Sequence, residues 1–530
     1  MNLLDILFAQ QRSTSYRRAI QNTRNDAATD SEDAEYARIA RALGNANGFL
    51  FGTRGEDRSA VHVDPETALG SSLVIGASGS GKTRFILNLL LGAISRSLLG
   101  SAPALPIDLE LVDPKQETFD LLAQHLAALW RESGAEARER IVSAVRVIDW
   151  SADAVTPFAP FDNARGEVSD AYLAYLRTDV AIQAGAHSYS GALRQAFFMF
   201  ARVLVEKRFP PNYRFAVRFL EDDAYRKRIL EGVADADVRA FFAEAKHTLP
   251  KQTRDALLRR IQSDMSFPEV RLAVGMPPAD INRLLPYRTP SVVLGNYGCS
   301  MTMPLEKGKE RASYRLIDVL LAAPRRDARR RGLLVIEESP MLLAEENELA
   351  QALMEGARTL RSAGMGMLFA AQDFANALPA RVVRTLQVNT RWWAVFQSRE
   401  EAEWIYPHIL PPARRGASEA ERHREFVHMV QNLRRQHFYL HVKGHRALPL
   451  RAPDVPDPRT NGAWKADELR AIFRREIASR SMVPAKTAAE AIAKWEAAVV
   501  DAAAVPPTPT PSGGKRDAAG IENLFLRLGL

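Results

Sequence analysis

Three glycines, a lysine and a threonine stand at fixed spacing in Gly76-Ala77-Ser78-Gly79-Ser80-Gly81-Lys82-Thr83, which fits G-x-x-x-x-G-K-[ST]. The chemistry of such a run is phosphate binding. The glycines let the backbone turn with positive φ and approach a ligand closely. The N–H groups freed by that turn, with the positive end of a following helix, hold phosphate oxygens. Lys82 would reach the β- and γ-phosphates of a nucleoside triphosphate, and the Thr83 hydroxyl would ligate Mg²⁺. The expected nucleotide-binding set is therefore Gly76 to Thr83 together with Arg84 at the helix start. The flanks suit it: Leu73, Val74 and Ile75 read as a buried strand, and Phe85, Ile86, Leu89 and Leu90 as a helix.

A second group lies far downstream. Leu333 to Ile336 is an apolar run that ends in Glu337-Glu338. Behind a phosphate loop, such a pair divides its work. Glu337 orients the hydrated Mg²⁺, and Glu338 positions or polarises the attacking water. The usual first residue is Asp, and Glu337 is one methylene longer. Gln372 ends the next apolar run, Met365 to Ala371, where a neutral amide can sense the γ-phosphate. Arg361 precedes Gly364 at a helix-to-strand junction and could reach a neighbouring subunit's γ-phosphate. Arg358, Arg384 and Arg391 compete for that role, since arginine at a helix end is also a dipole partner.

These residues need a framework of alternating strands and helices. After a segment at 1–47 read as helix and polar linker, Gly48 to Pro65 reads as a β-hairpin in which Val61 and Val63 alternate with His62 and Asp64. Leu109 to Val112 is a buried strand ending in Asp113-Pro114-Lys115, beside the crevice where open α/β sheets bind ligands. Val145 to Asp149 is a further strand. From 156 to 288 the rhythm breaks into five or six helices, a separate all-α lobe. Strands resume at Ser291 to Asn296 and continue at 333–336, 365–372, 391–396 and 437–444, the last expected strand. Residues 451–505 read as a C-terminal helical extension. Residues 506–530 read as a linker ending in an amphipathic tail with Ile521, Leu524, Phe525 and Leu528 on one face. The nucleotide-binding domain is thus expected at 48–155 and 289–450.

Composition narrows the class. The chain has 530 residues, 46% hydrophobic and 25% charged, which is globular and long enough for more than one domain. A single cysteine, Cys299, excludes an internal disulfide framework or a cysteine-based zinc site. The net charge of +8 permits an anionic partner such as nucleic acid. No apolar run approaches the roughly 20 residues of a membrane span. The N-terminus lacks the charged-then-apolar order of a signal peptide, so the expectation is a cytoplasmic protein.

The order of phosphate loop, Asp113-Pro114-Lys115, all-α insertion, apolar-Glu337-Glu338, then Arg361-x-x-Gly364 with Gln372 resembles the HerA/FtsK superfamily of DNA motors. Within it, the chain most resembles the TraG/TraD-type coupling ATPases of type IV secretion, over about residues 48 to 445. The resemblance implies an α/β fold built on a RecA-like domain that forms a homohexamer and threads DNA using ATP and Mg²⁺. Lys82 and Thr83 would then bind nucleotide and metal, Glu337 and Glu338 would serve metal and water, and Gln372 would sense the phosphate. It also implies a relaxase or other secretion substrate as partner, and attachment at the inner membrane through membrane-embedded secretion components. Many members begin with transmembrane helices, and this sequence shows none. For DNA contact, Lys307, Lys309 and Arg311 lie in a candidate channel loop. The basic run at 325–331 reads instead as a capped helix end. A secretion adaptor recruiting protein cargo, or a motor working with a nuclease partner, are the alternative readings.

Overall fold

The computed structural model describes residues 32–44, 48–54, 58–99, 107–149, 153–157, 191–243, 249–265, 268–285, 292–296, 331–344, 350, 353–354, 356–357, 360, 364–409, 418–455, 457–458 and 464–501. They fall into two compact units. The first draws on 1–146, 289–346 and 353–478, the second on 147–288, 347–352 and 479–530.

The first unit is built on a mixed sheet. Its strands are β1 (Phe49–Arg54), β2 (Ser59–Val63), β3 (Ser72–Ile75), β4 (Ile107–Asp113), β5 (Val145–Asp149, through which the chain passes into the second unit), β7 (Val292–Asn296), β8 (Arg331–Ile336), β9 (Met365–Ala371), β10 (Trp392–Phe396), β11 (His437–Val442) and β12 (Leu448–Arg451). The number β6 belongs to Ala154–Val155 of the second unit. The order is β2-β1-β12-β11-β10-β3-β9-β8-β4-β7-β5. From β10 to β7 every pairing is parallel, and from β10 outward through β11, β12, β1 and β2 it is antiparallel.

The parallel centre explains the apolar runs. Every residue of β3, β9 and β10 is buried, as expected for strands covered on both faces. On one face the helix after the phosphate loop, Lys82–Leu99, places Phe85 in an aromatic cluster. Its ring centroid lies 5.6 Å from that of Phe51, 5.8 Å from Phe396 and 5.0 Å from Phe438. On the other face Trp393 of β10 stacks on Trp404 at 5.6 Å.

Strand β12 is absent from the sequence reading, which ended the strands at β11. Pro449 disguises it, since proline in a short run argues against a strand. It pairs with β11 opposite Tyr439 and touches β1 through Thr53 and Arg451.

The second unit is helical, with Gly191–Lys207, Tyr213–Glu221, Asp223–Glu231, Ala236–Ala243, Lys251–Met265, Pro268–Val274 and Pro278–Leu284 among its described residues. Asn212 and Asp222 cap the second and third of these, each accepting an N–H at 2.9 Å. Residues 158–190 of the expected lobe lie outside the described residues. A two-stranded ribbon pairs β6 with β13 (Val483–Pro484).

The expected C-terminal extension at 451–505 is not one piece. Helix Ala466–Ile472 lies in the first unit, where Phe473 meets Phe119 at 5.9 Å and Arg131 lies 3.4 Å over the Trp464 ring. Residues 479–501 belong to the second unit. There Tyr225 donates its hydroxyl to the Val499 carbonyl at 2.9 Å, and Asn212 and Arg214 bind Glu496 at 2.7 and 2.8 Å. Nothing in the sequence of residues 479–501 tells which core they join, because these contacts lie 274 to 284 residues away.

Phe85 is fully buried between the loop helix and the sheet. Phe85→Ala is expected to destabilise the protein by about 3–5 kcal/mol, read as a lower urea midpoint with an unchanged slope.

Candidate functional site

Strand register brings the sequence-predicted residues to one edge. Ile75 of β3 pairs with Ala371 of β9, Phe369 of β9 with Ile336 of β8, and Ile336 with Val112 of β4. Each of these strands then ends in a residue of interest: Gly76, Gln372, Glu337-Glu338 and Asp113. Strand β9 lies between the phosphate-loop strand and the acidic strand, so Gln372 emerges between Lys82 and the glutamates.

The loop folds as its glycines require. Gly79 and Gly81 have φ of +75° and +114°, a region where a side chain is strained. Gly81 has a second reason to lack a side chain, because a Cβ there would lie 3.0 Å from the Gln436 Cα. The Ala77 N–H donates to the Gln397 carbonyl at 2.7 Å, and the Ser80 carbonyl accepts the Gln436 N–H at 2.7 Å. The helix opens at Lys82, leaving its first N–H groups pointing into the loop. Lys82 is buried and turns back, donating to the carbonyls of Gly76 and, at 3.1 Å, Ala77. Burial lowers its pKa, and the carboxyls of Glu338 and Glu337 partly offset this.

Glu337 is buried and accepts the Thr118 hydroxyl at 2.6 Å. Asp113, also buried, accepts the N–H groups of Lys115 and Phe119 at 3.0 and 2.9 Å. Burial, and then the neighbouring Asp113, push Glu337 up to about 8. Burial raises Asp113 as well, against the pull of its backbone donors. Of the two carboxyls, Asp113 has the donors that stabilise a charge, so Glu337 holds the proton. Glu338 adopts a left-handed backbone, φ +47°, which an unbranched acid takes only when its surroundings enforce it. Its Oε1 accepts from Lys115 Nζ at 2.7 Å and from Gln372 Nε2 at 3.2 Å.

Lys82, Glu337, Glu338 and Gln372 are thus brought together. Arg361, Lys307, Lys309 and Arg311 lie outside the described residues. Of the competing arginines, Arg358 also lies outside the described residues, and Arg391 pairs with Glu66 at 3.1 Å. Four contributors were assigned no role in sequence. Asp113 and Lys115 had a signal, the polar end of a buried strand. Thr118 and Gln436 had none, since each acts through contacts distant in the chain.

The residues present fit a bound nucleotide with its cation. Open space surrounds the Cβ direction of Gly79. Lys82 holds two carbonyls where it could hold phosphate oxygens, and Thr83, Glu337 and Asp113 offer the oxygen donors that hard cations take.

The fold and this edge define a phosphate-loop nucleotide-binding α/β protein with an inserted, mainly helical unit among the described residues. No family model and no curated protein matches the sequence. Solved structures match the fold. The plasmid coupling protein TrwB in complex with the non-hydrolysable GTP analogue GDPNP aligns with a TM-score of 0.50 at 14% identity, covering 78% of this chain and 92% of that one. VirB4 of Thermoanaerobacter pseudethanolicus aligns at 0.48 and 16% identity, covering 78% and 98%. TrwB in complex with ADP and Mg²⁺ aligns at 0.48 and 14%, covering 79% and 93%. No helix among the described residues is long and apolar enough to cross a membrane.

A buried carboxyl with a raised pKa makes stability depend on pH. The unfolded chain releases the Glu337 proton near 4.5 and the folded protein near 8. The metal-free, nucleotide-free protein is therefore expected to lose stability as pH rises between those values and to level off above them. Glu337→Gln should flatten the slope by up to about 1.4 kcal/mol per pH unit, read from urea midpoints across that range.

Proposed function

We propose that this chain is an ATP-hydrolysing motor of the type IV secretion coupling class, which moves DNA toward a secretion or conjugation machinery. One observation carries the reading. Lys82, Glu337, Glu338 and Gln372 converge at a single sheet edge, in a fold shared with a plasmid coupling protein that binds a nucleoside triphosphate analogue.

Bound Mg²⁺ would be held by Thr83 and, through water, Glu337, and would neutralise charge developing between the β- and γ-phosphates. Lys82 exchanges the carbonyls of Gly76 and Ala77 for phosphate oxygens. Glu338, held by Lys115 and Gln372, orients and polarises the attacking water. Gln372 shares the Glu338 oxygen. When its amide turns to a γ-phosphate, it releases that oxygen, so sensing the nucleotide and freeing the base are one event. Loss of the γ-phosphate restores the bond.

The ring follows the same logic. A homohexamer would let Arg361 of one subunit reach its neighbour's γ-phosphate, while Lys307, Lys309 and Arg311 line the channel and grip DNA backbone. Relaxase or another secretion substrate would be delivered with the DNA, and membrane-embedded secretion components would hold the ring at the inner membrane.

ATP turnover by the purified protein should rise several-fold when DNA is added at low salt, and the stimulation should fade as salt is raised. Lys82→Ala should lower kcat by roughly 10²-fold or more. Equal rates with and without single- and double-stranded DNA would overturn the motor. Capture of a protein substrate by residues 160–285, with no DNA affinity, would favour the adaptor instead.

A further inference from the structure

Beyond the groups that face the nucleotide, one buried acid stands out. Glu401 follows β10 and is wholly buried, with 0% exposure. Its Oε1 accepts two consecutive backbone N–H groups of the turn that follows Gln372, from Phe374 at 3.0 Å and Ala375 at 2.9 Å. Its own N–H is held by the Ser398 hydroxyl at 3.3 Å. The contacts join the segment after β10 to the segment after β9. Strand β3, with the phosphate loop at its end, lies between those two strands.

The other oxygen, Oε2, is buried with no donor among the described residues. The Glu401 carboxyl lies beside the side chain of Asp373, the residue after Gln372. Two carboxyl groups can hydrogen bond only when one carries a proton. Glu401 is wholly buried and Asp373 only half-buried, its Oδ1 accepting the Asn376 N–H at 3.1 Å, so burial leaves the shared proton on Glu401. Burial first, and Asp373 second, push Glu401 up to about 8 against the pull of its two backbone donors. Asp373 is the ionisable group facing Glu401 from the neighbouring segment. On its own segment Arg399, Glu400 and Glu403 are exposed.

We propose that Glu401 is a positioning residue for nucleotide hydrolysis: as a neutral carboxylic acid donating to Asp373 and accepting from Phe374 and Ala375, it fixes the turn that aims Gln372. The inference rests on the hydrolytic reading of the site. Its physical content is that one carboxyl satisfies three groups of a single turn. A hydrophobic side chain would leave the Phe374 and Ala375 N–H groups without their acceptor. At higher pH the shared proton leaves, two carboxylates face each other, and the turn opens.

Three proteins test it: wild type, Glu401→Ala and Glu401→Gln. Glutamine keeps the acceptor for Phe374 and Ala375 and offers an N–H to Asp373 at every pH. Glu401→Ala should lower kcat by about 10- to 100-fold with KM changed less than about threefold, as expected when a catalytic amide is displaced by an ångström. Glu401→Gln should restore most of kcat and lack the alkaline fall expected of the wild type as pH passes about 8. Hydrogen exchange at the Phe374 and Ala375 amides reads the tether without turnover. It should quicken at least tenfold in Glu401→Ala and stay protected in Glu401→Gln. Should Glu401→Ala fail to fold, wild type and Glu401→Gln still differ in how exchange at these amides responds to rising pH. Unchanged exchange in Glu401→Ala, or coincident pH profiles for wild type and Glu401→Gln, would overturn the proposal. A wild type that hydrolyses no nucleotide yet shows the expected exchange pattern would instead overturn the hydrolytic reading alone.

Discussion

Asp113 and Glu337 are buried side by side at the end of adjacent parallel strands, and water cannot separate their charges. Such a pair folds only if its surroundings supply donors, hold a proton, or provide a cation. The structure uses the first two. Two backbone N–H groups at the start of helix Glu117–Glu132 stabilise Asp113, and Thr118 from the same turn serves Glu337. The turn therefore has to begin where it does, and its first residue, Gln116, accepts a left-handed backbone of +65° to make it possible. Helix Ala466–Ile472 and the segment after it then hold that helix from behind through Phe473 and Arg470, the latter 3.3 Å from Asp120. Two acids kept side by side have shaped a helix start and the packing behind it.

The extra methylene of Glu337 gains meaning in this setting. A strand-end carboxyl that reaches across to the neighbouring helix can take the Thr118 hydroxyl at 2.6 Å. The bond compensates part of the burial and fixes the direction of the carboxyl. What sequence presents as a departure from the usual Asp is, in three dimensions, matched to a threonine more than 200 residues away.

Legibility followed distance along the chain. The phosphate loop, the acidic pair and Gln372 were readable because each is a local pattern: an apolar run that stops at a polar residue. Most strands of the sheet were readable for the same reason. What escaped was non-local. Strand β12 carries Pro449 and exists because β11 and β1 offer it edges. Residues 479–501 join the helical unit through Tyr225, Asn212 and Arg214, none of which announces its partner. Glu401 stands in a charged run, Arg399-Glu400-Glu401, and only its burial and the backbone N–H groups it accepts distinguish it from Glu400.

The left-handed residues show how the loop is held. Outside glycine, such a backbone persists only where neighbouring bonds over-determine it. Gln436, at φ +67°, is clamped by its N–H to the Ser80 carbonyl and by its carbonyl to the Ala452 N–H, both at 2.7 Å. These bonds press it against Gly81, so the outer antiparallel strands β11 and β12 buttress the phosphate loop from one side. The Gln397 carbonyl, at the end of β10, holds Ala77 from a second side. Glu338, also left-handed, is tied by Lys115 and Gln372 on the side where the loop opens. The bonds at Gln436 and Gln397 are made by main-chain atoms and do not depend on ligand. Those at Glu338 are made by side chains. Rigidity is therefore placed behind the loop and adjustability in front of it, which is the distribution a site needs if binding a phosphate is to change what its neighbours do.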